Sequence, residues 1–380
     1  MKIALLSDGV FPFVVGGMQK HSYYLAKHLA QAKVSVDLYF TYPRALQEKP
    51  DVNQLFTPEE QRYIQITSVG WSPKYRFPGH YVWESFLNSE RIWEVLQDRL
   101  DVDFIYAQGF SGWKAMLAKR DLKGMPPVGV NFHGLEMWQK PASMKVRMEQ
   151  WMLRPFVKAN LELADVVLLL GEKLVPLADV VHKGQKKAIE SANGVTEDWL
   201  VEREASNSKT IKFVFLGRYE RRKGIEELQE TIGRLLPQYD FSVDIIGPIP
   251  AGMRIKSDRV KYWGLIQDEA RVRKILSTGD VLVCPSYAEG MPTVILEAMA
   301  SGLAVIATDV GAVGDLVSEE NGWIIPPGHQ GALQSAMIAA ITGTEDQLSS
   351  KRSASFSRVR NKYLWHRVAE KTIQGIESVL

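Results

Sequence analysis

Cysteine is almost absent from this chain of 380 residues. Its single cysteine, Cys284, excludes an internal disulfide and a zinc site built from several thiolates. Such low cysteine usage is typical of proteins that work in a reducing compartment. We therefore expect a cytoplasmic protein.

Long hydrophobic runs are missing as well. No apolar stretch approaches the roughly 20 residues that a helix needs to cross a bilayer. The first eight residues, MKIALLSD, reach a charge long before signal-peptide length, so they predict a short strand. This leaves peripheral contact with the cytoplasmic face of a membrane as the form of membrane association to be tested.

Charge of one sign is not in excess either. The chain has 46 Lys and Arg residues against 44 Asp and Glu residues, which gives a formal net charge of +2. So small a net charge creates no field that would draw nucleic acid to the whole surface. We expect no nucleic-acid partner.

Apolar residues, in contrast, are plentiful at 46% of the chain. This length exceeds one ordinary core and favours two domains of similar size, with ligands bound in the cleft that two domains create. Residues 193–208 contain Asn-Gly, acids and serines but few apolar residues, which predicts a linker or, alternatively, a surface loop within one domain.

Strand-like runs alternate with amphipathic stretches along both halves, a pattern typical of parallel sheets covered by helices. The predicted helices are 19–31, 224–236 and a terminal one at 358–379. The predicted strands are 2–7, 34–40, 104–107, 128–132 and 165–170 in the first half, and 212–217, 242–246, 260–263, 281–284 and 304–307 in the second.

The segment 285–302, PSYAEGMPTVILEAMASG, is the most informative one. It follows an apolar strand with a Glu-Gly-x-Pro turn and then a helix that we expect to begin near Pro292. The unpaired amides of a first helical turn favour a phosphate or a sugar hydroxyl. Glu289 and Glu297 would accept hydrogen bonds from hydroxyl-rich groups on either side of it. Alternatively, they are an ordinary loop carboxylate and a helix acid.

A cluster of cations occupies the segment 217–224, GRYERRKG, after the first strand of the second half. Arg218 and Lys223 could hold a diphosphate and stabilise the charge that develops on it as it leaves. Arg221 and Arg222 are interpreted as surface residues. A solvated basic loop is the alternative for the whole cluster.

Two further signals lie in the first half. Gly16 and Gly17 follow the first strand and would let a loop approach a phosphate or an acceptor closely, although a plain turn explains them equally well. His133 ends a strand at the sheet edge where open α/β folds bind ligands. The alternative for His133 is a structural role.

Segment 285–302, with seven residues between its two glutamates, strongly resembles the donor-binding signature of the retaining glycosyltransferases of family 4. The Gly217-Arg218 and Lys223-Gly224 pairs are similar to another motif of that family. The resemblance implies the GT-B fold, in which two Rossmann-like α/β domains have parallel sheets facing a central cleft. Residues 1–192, joined by a returning helix at 361–380, would form the acceptor-side domain, and 193–360 the donor-binding domain.

The resemblance also implies which residues act. The implied catalytic residues are His133, Arg218, Lys223 and Glu289. The implied donor-binding residues are Gly16, Gly17, Arg218, Lys223, Glu289, Gly290, Met291, Pro292, Thr293, Val294 and Glu297. Neither a metal nor any other cofactor is implied. The acid that usually follows the glycine pair is replaced here by Met18-Gln19-Lys20-His21.

The expected reaction is transfer of a hexose, with retention, from a nucleoside diphosphate sugar to a glycan, lipid-linked or small-molecule acceptor in cell-surface polysaccharide or glycoconjugate biosynthesis. A nucleotide-sugar epimerase, a phosphorylase and a non-catalytic sugar-nucleotide-binding protein of the same fold remain alternatives. A dinucleotide oxidoreductase is disfavoured, because no Gly-x-Gly-x-x-Gly turn follows the first strand.

The acceptor side has one candidate segment, residues 138–158, which mixes cations with large apolar residues as an interfacial helix does. We favour a core-packed helix with a solvated basic face, because Pro155 interrupts the pattern. The cations are Lys140, Lys145, Arg147, Arg154 and Lys158, and the apolar residues are Trp138, Met144, Met148, Trp151, Met152 and Phe156.

Overall fold

The computed structural model describes residues 1–42, 51–52, 54–71, 75–77, 79–182, 186–201 and 210–380. These residues form two compact units. The first unit contains Met1–Trp138, Met148–Asn193 and Trp365–Leu380, and the second contains Gln139–Arg147 and Gly194–Leu364. Seven of the sixteen residues of the predicted linker, 202–208, lie outside the described residues.

The described part of the first unit contains a seven-stranded sheet in which every neighbouring pair is parallel. The strands are β1 (Lys2–Ser7), β2 (Ser35–Tyr42), β3 (Ile64–Gly70), β4 (Phe104–Gln108), β5 (Val128–Asn131), β6 (Val166–Leu169) and β7 (Lys187–Glu190). Their order in the sheet is β3-β2-β1-β4-β5-β6-β7.

The described part of the second unit contains a six-stranded parallel sheet in the order β10-β9-β8-β11-β12-β13. The strands are β8 (Ile211–Leu216), β9 (Phe241–Ile246), β10 (Val260–Gly264), β11 (Val281–Cys284), β12 (Ala304–Thr308) and β13 (Gly322–Ile325). The predicted α/β class with two Rossmann-like parallel sheets is therefore confirmed.

Helices flank both sheets, as parallel strand connections require. Among the described residues, no helix combines the length and the apolar character needed to cross a bilayer. The helices are α1 (Gly17–Gln31), α2 (His80–Leu96), α3 (Trp113–Ala118), α4 (Met144–Leu163), α5 (Val175–His182), α6 (Ile225–Leu235), α7 (Glu269–Leu276), α8 (Thr293–Ala300), α9 (Val313–Leu316), α10 (Gln330–Thr342), α11 (Glu345–Lys362) and α12 (Trp365–Glu377).

The strand order of each sheet reverses at one point, between β1 and β4 in the first unit and between β8 and β11 in the second. Loops that leave neighbouring parallel strands in opposite directions open a crevice at the carboxyl edge, which is where open α/β sheets bind ligands. In the second unit, the loops at this point are 217–224 and 285–292, the two segments singled out from the sequence.

The terminal helix is a correction to the sequence analysis. Instead of one helix over 358–379, the chain has α11 and α12 with a break at Tyr363 and Leu364. Tyr363 donates its hydroxyl to the Asp315 carbonyl at 3.2 Å, and Leu364 forms a parallel bridge with Val195. The Tyr363 carbonyl accepts from the Val195 amide at 2.9 Å instead of from a later turn of a helix, and sequence periodicity does not detect a contact between segments so far apart.

Candidate functional site

The loop after β11 is held tightly within the second unit. Thr308 Oγ1 donates to the Ser286 carbonyl at 2.5 Å, and the Ala312 amide donates to the Gly290 carbonyl at 2.8 Å. Gly311 has a φ of 55°, and a Cβ there would lie 2.1 Å from the Glu289 carbonyl oxygen. A side chain at 311 would therefore displace the loop, so its course is fixed by close backbone packing.

The main chain of Glu289 is clamped by one side chain that sequence reasoning missed. The Glu289 amide donates to Gln139 Oε1 at 3.1 Å, and Gln139 Nε2 donates back to the Glu289 carbonyl at 2.7 Å. The amide of Glu289, which precedes α8, is therefore paired. A contact across 150 residues leaves no signal in a single sequence.

The Glu289 side chain is buried and faces two cations from the loop after β8. Lys223 Nζ lies 2.6 Å from Glu289 Oε1, and Arg222 Nη1 lies 3.6 Å from Glu289 Oε2. The structure therefore brings together Lys223 and Glu289, which the sequence placed in separate motifs. Arg222 Nη2 also lies 3.8 Å from Glu220 Oε2, so the two cations here face two carboxylates.

The close approach of the two loops depends on Gly224. This residue has a φ of 66°, and a Cβ there would lie 2.0 Å from the Pro285 carbonyl oxygen. The Tyr287 amide also donates to the Arg222 carbonyl at 2.8 Å. Glycine at 224 thus permits the contact that places Lys223 beside Glu289.

Arg218 lies at the start of the same loop and is more exposed. Its side chain is 71% exposed, and its Nε lies 3.0 Å from Glu220 Oε1. An exposed ion pair of this kind contributes little to stability, about 0–1 kcal/mol, so the guanidinium can turn toward an anion at small cost.

Arg221 and Arg222 are not plain surface residues, which corrects the sequence-based interpretation. Arg221 makes two hydrogen bonds to the Glu227 carboxylate, at 2.5 and 2.7 Å, and lies over the Tyr287 ring. The pKa of the Glu227 carboxyl lies below its usual value. Burial alone would raise this pKa, but the hydrogen bonds from Arg221 and Tyr287 together outweigh the effect of burial. The planar guanidinium suits such paired contacts, and a count of charges does not reveal them.

Helix α8 begins at Thr293, directly after Pro292, as predicted. A helix offers no internal acceptor to its first amides, so the N–H groups of Thr293 and Val294 point beyond its start. Glu297, the fifth residue of α8, is half-buried. Gly290, Met291 and Pro292 are buried in the turn that leads to this helix end.

In the first unit, Gly16 precedes α1 and Gly17 is its first residue. A Cβ at Gly17 would meet no described atom within 4 Å, whereas one at Gly16 would lie 2.1 Å from Gln19 Oε1. Gln19 Nε2 also donates to Asp8 Oδ1 at 2.7 Å. Burial raises the pKa of Asp8, an acid at the end of β1 that sequence reasoning overlooked although its strand-end position is readable.

His133 follows β5 with a φ of 57°, a conformation held by a hydrogen bond from its amide to Asn131 Oδ1 at 2.8 Å. Its Nε2 lies 2.5 Å from Gln108 Oε1. Burial, together with the neighbouring His21, keeps the pKa of His133 well below its usual range. The imidazole is therefore neutral at pH 7 and available for a neutral hydrogen bond.

His21 in α1 was not predicted as part of the site. Its ring centroid lies 5.0 Å from that of His133, and its Nδ1 lies 2.9 Å from Asn193 Oδ1. Burial lowers the pKa of His21 to about 4. Tyr106, within 3.3 Å of His21 Nε2, continues this polar network to Ser191.

Both halves of the chain match models of known protein families. Residues 15–173 match the model described as Glycosyltransferase Family 4, and residues 210–342 match the model described as Glycosyl transferases group 1. Together the two models cover most of the chain, including both strand-to-helix loops. The chain belongs to glycosyltransferase family 4.

The names of curated relatives of this chain refer to different products. One is a putative teichuronic acid biosynthesis glycosyltransferase of Bacillus subtilis, 38% identical over 33% of this chain and 31% of its own length. Another is a phosphatidyl-myo-inositol mannosyltransferase of Mycobacterium leprae, 27% identical over 54% of this chain and 59% of its own length. The matches thus span about a third to three-fifths of these relatives.

Solved structures with the GT-B fold superpose over the whole length of this chain. A sucrose-phosphate synthase from Thermosynechococcus elongatus superposes with a TM-score of 0.78 at 22% identity, covering 100% of this chain and 98% of that one. The Anabaena protein Alr3699/HepE in complex with UDP superposes with a TM-score of 0.69 at 18% identity, covering 100% of both chains.

The described ranges contain no group of three or more His, Cys, Asp or Glu side chains that could hold a metal ion. The residues predicted to be catalytic or to bind the donor are divided between the units. Gly16, Gly17 and His133 belong to the first unit, and Arg218, Lys223, segment 289–294 and Glu297 belong to the second. The roles of these residues stay predictions.

Proposed function

We propose that this glycosyltransferase moves a hexose from a nucleoside diphosphate sugar to an acceptor hydroxyl with retention of the anomeric configuration. The observation that carries the proposal is the Lys223–Glu289 pair, at 2.6 Å, where the loops after β8 and β11 meet. A fixed cation beside a helix N-terminus suits a diphosphate. The adjacent carboxylate suits the hydroxyls of a sugar.

The donor would bind mainly through the second unit. Arg218 supplies a mobile guanidinium fork, Lys223 a fixed point charge, and Thr293 and Val294 the first amides of α8. Charge on the leaving diphosphate increases as the glycosidic bond breaks, so these groups stabilise the transition state more than the bound donor. Glu289 and Glu297 would accept hydrogen bonds from hydroxyl groups of the donor.

Retention would follow from attack on the face that the diphosphate leaves. The acceptor hydroxyl gives its proton to a phosphate oxygen of the donor as the new glycosidic bond forms. Neutral His133 contacts the transferred sugar without adding a charge, because burial keeps its pKa low. With the leaving group neutralised by side chains and amides, we propose that no metal and no other cofactor takes part.

The proposed acceptor is a glycan, a lipid-linked molecule or a small molecule, in cell-surface polysaccharide or glycoconjugate biosynthesis. Support comes from the relatives, whose names specify teichuronic acid biosynthesis and mannosyl transfer to phosphatidyl-myo-inositol. A cytoplasmic enzyme, at most peripheral on the cytoplasmic face of a membrane, would suit such products.

A product assay tests the proposed reaction. The enzyme is incubated with UDP-, GDP- and ADP-hexoses, with and without acceptor mixtures, in EDTA. Acceptor-dependent release of nucleoside diphosphate, with an NMR coupling at the anomeric proton that matches the donor configuration, is the expected result. An inverted product would contradict the retaining mechanism, and conversion of the sugar nucleotide without acceptor would indicate an epimerase.

A further inference from the structure

Helix α4 presents its large apolar side chains outward. Its buried residues are Gln150, Val157, Asn160 and Leu161, so the side of α4 that packs is a different one from the apolar side. The expectation that the large apolar side chains of this helix pack into the core is therefore wrong, although Val157 and Leu161 do so. The exposed fractions on its apolar side are 70% for Met144, 64% for Met148, 72% for Trp151, 38% for Met152 and 39% for Phe156.

Helix α2 and the residues before it supply a second apolar wall in the same unit. Tyr81 and Trp83 are both about half exposed, and Phe77 is 44% exposed. Between α2 and the α4 residues from Glu149 to Lys158 lies an aromatic groove of about 1520 Å³. This volume exceeds the roughly 300–1000 Å³ of a site for a drug-sized ligand. Exposed apolar surface on this scale marks an interaction site.

The floor of the aromatic groove is a packed set of rings. Trp113 lies 5.2 Å from Phe86 and 6.1 Å from Phe156, measured between ring centroids. Phe110 connects this set to Phe132, the neighbour of His133, at 5.0 Å. Side chains locked in this way form a surface that exists before any partner binds, and it extends toward the histidine predicted to contact sugar.

Positive charge lies along the same helix. Arg154 and Lys158 line the groove, and the Arg154 Nε donates to the Met137 carbonyl at 2.8 Å, which fixes the position of the guanidinium. Helix α4 has four cations, Lys145, Arg147, Arg154 and Lys158, against two acids, Glu149 and Glu162. A net charge of +2 on one helix equals that of the whole chain.

We infer that the aromatic groove docks on a bilayer that contains anionic phospholipids. Trp151, Met152 and Phe156 enter the boundary between headgroups and acyl chains, and Arg154 and Lys158 meet lipid phosphates. Tryptophan and methionine on one side of a cationic helix are typical of interfacial binding, and each cation near an anionic membrane surface adds to the affinity. This inference does not depend on which sugar the enzyme transfers.

Vesicle sedimentation tests the inference on the full chain. Vesicles of phosphatidylcholine with phosphatidylglycerol should bind the protein, and phosphatidylcholine alone should bind it much more weakly. Phospholipids brominated in their acyl chains should quench tryptophan fluorescence. Absence of binding, or equal binding to both vesicle types, would overturn the inference and leave a protein partner as the occupant to consider.

Variants assign the binding to this surface. Trp151→Ser should lower vesicle affinity about tenfold, and Leu265→Ser, at a site 68% exposed in the second unit, should not. The double variant Arg154→Gln with Lys158→Gln should lower the affinity for anionic vesicles about thirty-fold. Its control is Arg360→Gln with Lys362→Gln, which removes two exposed cations of α11 and should leave the affinity unchanged. Equal losses in test and control variants would contradict the assignment.

The result is separable from the proposed function. Circular dichroism verifies that each variant is folded, and transfer to a water-soluble acceptor measures activity without a membrane. An enzyme that transfers sugar but binds no vesicles would refute only the membrane inference. A protein that binds anionic vesicles but transfers nothing would refute only the proposed function.

Discussion

Lys223 Nζ lies 2.6 Å from Glu289 Oε1, and these side chains come from loops that follow neighbouring strands of one sheet. Both side chains are largely buried, with exposed fractions of 18% and 7%. The carboxylate compensates the lysine charge while no ligand is bound, and the pairing gives the ammonium group a fixed position. A diphosphate that arrives there meets a cation that is already oriented.

Breaking this pair should cost stability. Lys223→Met leaves Glu289 buried beside only the more distant Arg222, so we expect a loss of about 2 kcal/mol, less than the 3–5 kcal/mol of a fully isolated pair. The double variant Lys223→Met with Glu289→Gln should recover part of this loss. Urea denaturation of the two single variants and the double variant measures the coupling, and strictly additive losses would refute a stabilising pair.

Substitution at Gly224 should separate the two loops. A Cβ at 224 would lie 2.0 Å from the Pro285 carbonyl oxygen, and the φ of 66° disfavours alanine. We expect Gly224→Ala to destabilise the protein by about 2 kcal/mol or more and to weaken donor binding.

Gly233→Ala is the matched control for Gly224→Ala, because Gly233 lies within α6 and a Cβ there would meet no described atom within 4 Å. Alanine in a helix should stabilise by up to about 1 kcal/mol. Thermal unfolding of the two variants should therefore shift in opposite directions. A shift in the same direction would argue against the loop contact as the cause.

Removal of the Gln139 amide should loosen Glu289 without moving a charge. Gln139→Ala loses both hydrogen bonds to the Glu289 main chain. We expect donor affinity to fall about tenfold, since each hydrogen bond contributes about 0.5–1.5 kcal/mol. Gln374→Ala, at an exposed position of α12, is the control, and titration calorimetry with nucleoside diphosphates measures both. Unchanged affinity in Gln139→Ala would show that the clamp does not serve donor binding.

Two histidines of the first unit, His21 buried and His28 half-buried, should make the fold sensitive to acid. Burial lowers the pKa of both His21 and His28 to about 4, whereas an unfolded histidine has a pKa near 6.5. The unfolded chain therefore binds more protons between these values, and stability falls as the pH drops from about 6.5 toward 4. The slope approaches 1.4 kcal/mol per pH unit for each histidine.

Urea denaturation at pH 7 and pH 5 measures this dependence. The variant His28→Asn should unfold with a smaller difference between the two pH values than the unsubstituted protein, because one of the titrating groups is gone. An identical difference would show that His28 does not contribute. Transfer activity should show no inflection from His133 between pH 6 and 8, since that imidazole is already neutral.

The sequence predicted the limits of a strand best where a charged residue or a proline ends its apolar run. β1 and β11 have the predicted limits, because a charge or a proline ends each apolar run and buried parallel strands need no alternation. Strands that contain exposed polar residues were harder to predict, because they lack a continuous apolar run. β7, Lys187–Glu190, has exposed Lys187 and Ala188 and was not predicted.

The site was predictable where one segment contains the whole motif. Glu289, Gly290 and the start of α8 at Thr293 lie within five consecutive residues of the chain. Contacts between distant segments were not predictable, as in the Gln139 clamp on Glu289 or the His21 ring beside His133. Periodicity also showed that α4 is amphipathic without showing which side packs, since its buried side includes Gln150 and Asn160.

One measurement tests the central claim, that the second unit neutralises a departing diphosphate, most directly. It is the kcat of Arg218→Ala at saturating donor and acceptor, with Arg234→Ala as a control arginine of similar exposure paired to Glu230. The account predicts that kcat falls about a hundredfold in Arg218→Ala, with stability within about 0.5 kcal/mol of the unsubstituted protein and no change in the control. An unchanged kcat would contradict it.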